Sequence, residues 1–256
     1  MRNSSEYAER LNRLSRRIRR DEGAPEESSL SDPIGEIVLG CLSMYQSEGK
    51  ALHAISRLKN YFVDFNDLRV SPANEVSRVL GSHYPHGMEV SRILVRSLRE
   101  IYEQCHGLDL SELSKGGKLT AKAMLEGIDG LNDYVVSCVM LRSLGGHAFP
   151  VNEKMLSMLQ GEEVVDSKAS VSDVQGFLER QIPAKQIRKT FALLRRYADG
   201  YTVKKSKPKA KAAKAKVSLT KESKKKSSAG AVVKKAAAKR SVKKKAGAAS
   251  GKGKKE

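Results

Sequence analysis

Two stretches of this sequence carry residue types suited to holding phosphate. The first is the reversal Asp129-Gly130-Leu131-Asn132, which follows an apolar-periodic segment ending in Leu125 and Ile128 and precedes Val135, Val136, Val139 and Met140. Glycine and asparagine are the types that most readily adopt φ > 0. The backbone N–H groups of Gly130, Leu131 and Asn132 are therefore expected to point outward together at a helix N-terminus, which is an anion site. The second stretch is residues 203–256, where Lys204, Lys205, Lys224, Lys225, Lys226, Lys243, Lys244 and Lys245 fall in runs among Ala, Ser, Gly and Val. Many lysines on one polymer release many counterions from a polyanion, so binding through them falls steeply with salt.

Other chemistry is poorly supplied. Cys41, Cys105 and Cys138 are far apart, without a CxxC pair, and read as small core residues of a reducing compartment. The five histidines, His53, His83, His86, His106 and His147, show no ligand spacing. His83, Tyr84 and His86 share one loop that faces either a groove or solvent. No metal or cofactor is expected, and with no CxxC pair or Cys/His cluster an iron–sulfur cluster held by cysteines is not expected.

The chain has 256 residues and a formal charge of +19, and the distribution of that charge matters more than its total. Residues 203–256 hold 20 Lys, one Arg and two Glu, which accounts for all of the excess and leaves 27 basic and 27 acidic residues in the body. Long-range attraction to a polyanion must come from this tail and from local patches. With no aromatic residue and dense like charge, the tail cannot bury enough apolar surface to offset chain entropy and is expected to be disordered when free. No apolar run approaches the roughly 20 residues of a membrane span, and the Arg-rich start has no apolar core of a secretory signal.

The elements that position the turn read as helices throughout. Residues 6–20 place Leu11, Leu14 and Ile18 on one face amid arginines, as a helix docked on the body or a basic arm on nucleic acid. Asp32-Pro33 is an N-cap and first helical position for a buried helix carrying Ile34, Ile37, Val38, Cys41 and Leu42. Further helical periodicity covers Ala51 to about Tyr61, Pro72 to Leu80, Val90 to Ile101, a run from near Thr120 into the turn, the segment after it, one starting near Asn152, and two closing helices. With no strand pattern, the body is expected to be all-α with nine or ten helices.

Three segments carry a resemblance to a known family: DPIGEIVLGCLS at 32–43, LEGIDGLNDYVVSCVMLRSLG at 125–145 and HAFPVNEKMLSML at 147–159. They are similar to the helix-hairpin-helix DNA glycosylase superfamily, in its endonuclease III branch. The resemblance covers about residues 30–198 and implies two all-α lobes flanking a cleft. By it, the domains are a basic N-terminal helix and loop at 1–30, a body at 31–198 with a central lobe of about 50–150 and a second lobe from 31–49 plus 151–198, and the tail at 203–256. The tail in turn resembles the lysine- and alanine-rich tails of linker histones and bacterial histone-like proteins, which implies neutralisation of DNA or RNA phosphates.

The family's chemistry maps onto this chain residue by residue. The pattern LPGVGxKTA, whose lysine forms a Schiff base in bifunctional members, falls on Ile128 to Val136 and puts Tyr134 at the lysine. The pattern VDTH falls on Val151 to Lys154 and puts Asn152 at the catalytic aspartate. The lesion-facing segment SQNTSD falls on Ser43 to Glu48, making Met44, Tyr45 and Gln46 the lesion-facing candidates, with Met44 at the family's glutamine. A phenol makes no imine, an amide carries no charge, and Glu153 is the one substitute carboxylate. Asp129 and Asp133 either repel a phosphate at the turn or serve as helix N-caps. The resemblance thus implies a noncatalytic DNA-binding protein whose affinity lies mostly in the tail. The alternatives are an active endonuclease III-like glycosylase and lyase of base-excision repair, or a protein-docking module tethered to the chromosome. The expected location is the cytoplasm at the nucleoid, or a nucleus.

Overall fold

A computed structural model describes residues 4–23 and 32–202; the tail and its lysines lie outside the described residues. Among these the chain is all helical: α1 (Ser4–Glu22), α2 (Pro33–Ser43), α3 (Glu48–Tyr61), α4 (Phe65–Val70), α5 (Ala73–Leu80), α6 (Gly87–Cys105), α7 (Lys118–Glu126), α8 (Asp133–Arg142), α9 (Glu153–Gly161), α10 (Val171–Gln181) and α11 (Ala184–Gly200). Helix α4 is the one that periodicity does not announce. It has six residues, an Asp64 cap and Leu68 as its single buried side chain, too little sequence for a helical repeat.

Two hydrophobic cores result. The first gathers α2 to α8 around Ile37, Leu42, Leu58, Leu94 and Val139, and the second gathers α1, α9, α10 and α11 around Leu14, Phe149, Phe177 and Leu194. The structure corrects the lobe expected for residues 31–49. Helix α2 lies in the first core with the hairpin, because every residue from Ile34 to Ser43 is buried and Gly40 lets α8 come close. A Cβ at Gly40 would stand 3.0 Å from Val135 Cγ1. The second lobe takes its N-terminal share from α1, whose Leu11, Leu14 and Ile18 are 1–4% exposed. Full burial of side chains of this size is worth roughly 1.5–3 kcal/mol each, which explains why α1 is docked.

Local chemistry sets the helix ends that matter for the site. Asp32 caps α2 by accepting from Ile34 N and Gly35 N, with Pro33 in the first turn. The N-caps of α8 and α9 are Asn132 and Asn152, each extended at φ near −104° and each accepting from the N–H three residues on, Val135 and Met155. Neither Asp129 nor Asp133 is a cap: Asp133 is the first residue of α8, and Asp129 pairs with Arg96. Gly130 holds the turn at φ +97°, against α6, where a Cβ would stand 2.9 Å from Ser97 Oγ.

Candidate functional site

The two asparagine caps converge on one residue, Met44, which follows the last turn of α2. Asn132 Nδ2 lies 2.8 Å from Met44 Sδ, and Asn152 Nδ2 donates to the Met44 carbonyl at 3.0 Å. The N-termini of α8 and α9 thereby face a cleft of about 360 Å³, lined by Met44, Tyr45, Asn132, Asp133, Tyr134, Asn152 and Glu153. It continues past Tyr45 into a space of about 430 Å³ bounded by His86, Lys154 and Tyr201.

Asn152 is committed at both ends of its amide. Oδ1 accepts from Met155 N at 3.0 Å while Nδ2 serves the Met44 carbonyl, so the orientation of the amide is fixed by its partners. A carboxylate at this position would keep the cap and lose the donor, leaving an anionic oxygen against a carbonyl oxygen. At 7% exposure the pair is largely shielded from solvent.

Tyr134 forms the rear wall. It is 7% exposed, and its hydroxyl lies 3.2 Å from Ser43 Oγ, which itself donates to the Gly40 carbonyl. The two hydroxyls share one hydrogen bond in which either can donate. Burial pushes this phenol well above the ordinary tyrosine range, opposed by the Arg195 guanidinium 6.0 Å from the ring centre. Tyr134 stays neutral across the working range of pH.

The rim is acidic. Asp133 and Glu153 occupy the first helical positions of α8 and α9, both exposed, where the partial positive charge of a helix N-terminus favours a carboxylate. Lys154 does not reach the cleft as a free amine, because its Nζ donates to the Asp199 carbonyl at 2.7 Å. Tyr45 stacks on His86 with ring centres 4.3 Å apart and donates to Glu89, while Gln46 contributes its backbone carbonyl to Arg195. In the loop before α6, Tyr84 is buried and donates to the Leu42 carbonyl, whereas His83 and His86 are exposed. The predicted residues Met44, Tyr45, Asn132, Tyr134, Asn152 and Glu153 are therefore brought together. Gly130 and Leu131 lie outside the cleft lining, with the Leu131 N–H turned back onto the Ile128 carbonyl.

A buried ionic cluster beneath this cleft escaped the sequence reading. Arg195, 2% exposed on α11, donates to the carbonyls of Ser43 at 2.9 Å and Gln46 at 2.5 Å and lies 3.4 Å from Asp199. Arg142 of α8 meets Glu48 at 2.9 Å and the fully buried Glu36 at 3.6 Å, and Asp199 accepts from Glu48 N. The cluster ties the second core to the end of α2 and fixes the segment carrying Met44 and Tyr45. Its signal was present: Arg195 stands four residues after Phe191, on the apolar face of α11, and Glu36 interrupts an otherwise apolar helix.

No family model matches the chain and no curated protein matches it. Solved structures do. A non-covalent endonuclease III–DNA complex is similar at TM-score 0.61 and 14% identity over 79% of this chain and 90% of that one. A trapped endonuclease III–DNA covalent intermediate is similar at TM-score 0.59 and 15% identity, over 77% and 88%. The Clostridium acetobutylicum 8-oxoguanine glycosylase/lyase in complex with DNA is similar at TM-score 0.59 and 15% identity, over 78% and 71%. At such identities the likeness speaks for the backbone alone. The described residues of this chain have the fold of the helix-hairpin-helix DNA glycosylases.

Proposed function

We propose that this chain is a duplex-DNA-binding protein built on the glycosylase fold that does not cleave a glycosidic bond, and that the lysine-rich tail supplies most of its affinity. The observation that carries the reading is the two-ended hydrogen bonding of Asn152, a structural amide where the sequence resemblance would put the catalytic carboxylate. The neighbouring wall is a neutral buried phenol, which forms no imine and carries no negative charge to set against a developing cation. Two carboxylates at the rim, Asp133 and Glu153, add negative charge where a phosphate backbone would approach the hairpin, and this favours the tail as the seat of affinity. The similar structures that hold DNA support DNA as the partner. The nucleoid, or a nucleus, is the corresponding location.

A second reading, an active glycosylase, rests on Glu153, which lines both parts of the cleft and is exposed to an incoming base. The experiment that separates them pairs binding with product release. The full chain is incubated with duplexes containing uracil, an oxidised pyrimidine, 8-oxoguanine or mismatched adenine, and both the retarded complex and the free base are measured. The proposed function requires complex without free base; base release abolished by Glu153→Gln establishes the second reading. Removing residues 203–256 is expected to eliminate most of the affinity and most of the salt slope, and equal binding by the truncated chain would contradict the role given to the tail.

A further inference from the structure

Helix α1 presents three distinct faces. Leu11, Leu14 and Ile18 fill the second core. On one flank Arg10 and Arg17, seven residues apart, have structural duties: Arg10 Nη1 donates to the Glu163 carbonyl at 2.7 Å, and Arg17 Nη2 donates to Glu162 at 2.6 Å. On the other flank Arg16 and Arg19 line a groove of about 230 Å³ against the start of α11, together with Asn12, Ser15, Gln186 and Thr190. Arg16, Arg19 and the adjacent Arg13 are exposed and make no ion pair among the described residues. Lys185 and Lys189, also exposed, precede the lining residues Gln186 and Thr190 on α11.

We infer that this outer groove between α1 and α11 is a second docking surface, for the sugar–phosphate backbone of duplex DNA, separate from the cleft; the inference rests on the DNA-binding reading above. Charge is the first argument. Residues 10–20 hold six of the body's 27 basic residues and no acid, so positive charge is concentrated here although the body as a whole is neutral, and among the described residues no carboxylate lines the groove. Like charges three residues apart on a helix are mildly destabilising, by roughly 0.2–0.5 kcal/mol per pair, so arginines without a structural partner are retained against a cost. Arg10 and Arg17 show what a structural arginine looks like on this same helix, and Arg16 and Arg19 do not fit that description.

Shape and chemistry point the same way. The surface is concave and polar, and Asn12, Ser15, Gln186 and Thr190 add neutral hydrogen-bonding groups between the two guanidinium arms. A guanidinium presents paired donors that match the two free oxygens of a phosphodiester. Arg16 and Arg19 are separated by about 4.5 Å of helix rise, so two long guanidinium arms leave the same flank of α1 and can each meet a phosphate. The groove shares no lining residue with the cleft, so occupation of one leaves the other open.

The test uses the full chain and the salt dependence of its binding to an undamaged duplex. Arg16→Gln with Arg19→Gln is expected to make the slope of log K against log salt shallower by about 1.8, since each lost phosphate contact removes about 0.9. Arg16→Lys with Arg19→Lys retains the slope, because a point charge still displaces a counterion. Arg10→Gln with Arg17→Gln lowers the melting temperature and leaves the slope unchanged. Circular dichroism and melting temperature of the first variant match the unmodified chain, as its altered side chains are exposed. If the unmodified chain binds DNA and the Gln variant keeps its full slope, the docking surface is overturned alone, and the groove belongs to an acidic protein or to solvent. If the unmodified chain binds no DNA, the docking surface and the proposed function are overturned together.

Discussion

Asn152 decides the chemistry of the cleft because its two hydrogen bonds require an amide. Asn152→Asp keeps the cap on α9, since aspartate caps as well as asparagine, but turns an acceptor toward the Met44 carbonyl. The expected cost is about 1–3 kcal/mol in urea denaturation at neutral pH, with no gain of base release. A variant as stable as the parent would show that Met44 and Asn152 do not depend on each other. The buried thiols give a second expectation at this scale. Burial raises Cys138 to about 11 and Cys41 to about 12, above the 9.0 of an unperturbed thiol. The unfolded chain therefore loses these protons first, so stability is full below about pH 9 and declines as pH rises toward 11–12. A thiol reagent at neutral pH should label the half-buried Cys105 quickly and the other two only on unfolding; three equally fast thiols would contradict this. That Asn132 and Asn152 each precede a helix was legible in the sequence. That Asn152 is held from both ends was not, because its second partner is the carbonyl of a residue 108 positions earlier.

Helix order and most helix ends were legible because caps and 3.6-residue periodicity are local signals. Capping of α8 by an aspartate was one of two open readings, and the cap is Asn132: Asp129, Asn132 and Asp133 are all competent types and only the turn geometry chooses among them. The lobe of α2 was misjudged for a related reason: a helix buried on all sides has no polar face to say which core it joins. The hairpin depends on Gly130. Gly130→Ala must hold a Cβ at φ +97° and push aside Ser97, whose hydroxyl bonds the Ile93 carbonyl. A loss of about 1–3 kcal/mol is expected by chemical denaturation, and a neutral substitution would mean that the turn can relax. Helix α11 is held to the end of α2 by Arg195. Arg195→Ala leaves two carbonyls without their donor and Asp199 without its counter-charge, for an expected loss of about 3–5 kcal/mol. Arg195→Lys should recover little of it, as one ammonium cannot span the geometry that the planar guanidinium reaches.

Taken whole, the molecule combines a charge-balanced helical body with a strongly basic tail, and the proposed function gives the affinity for DNA to the latter. The ionic cluster of Glu36, Glu48, Arg142, Arg195 and Asp199 binds the two cores beneath the cleft, where two lobes of a glycosylase fold meet. Burying that many charges costs more than it returns unless they are mutually paired, and their return here is a fixed segment from Ser43 to Glu48. The cleft is thus well defined in shape and poor in reactive groups, with a neutral phenol and a tied amide at its back and two solvated carboxylates at its rim. The most direct test is single-turnover base release, with full-length protein in excess over duplexes carrying a single damaged or mismatched base. Base release is preferred to trapping at an abasic site, because tail lysines can form imines there without any help from the cleft. The account predicts a retarded complex and no free base above the rate of the duplex alone. Free base that disappears with Glu153→Gln would contradict it and make the cleft catalytic.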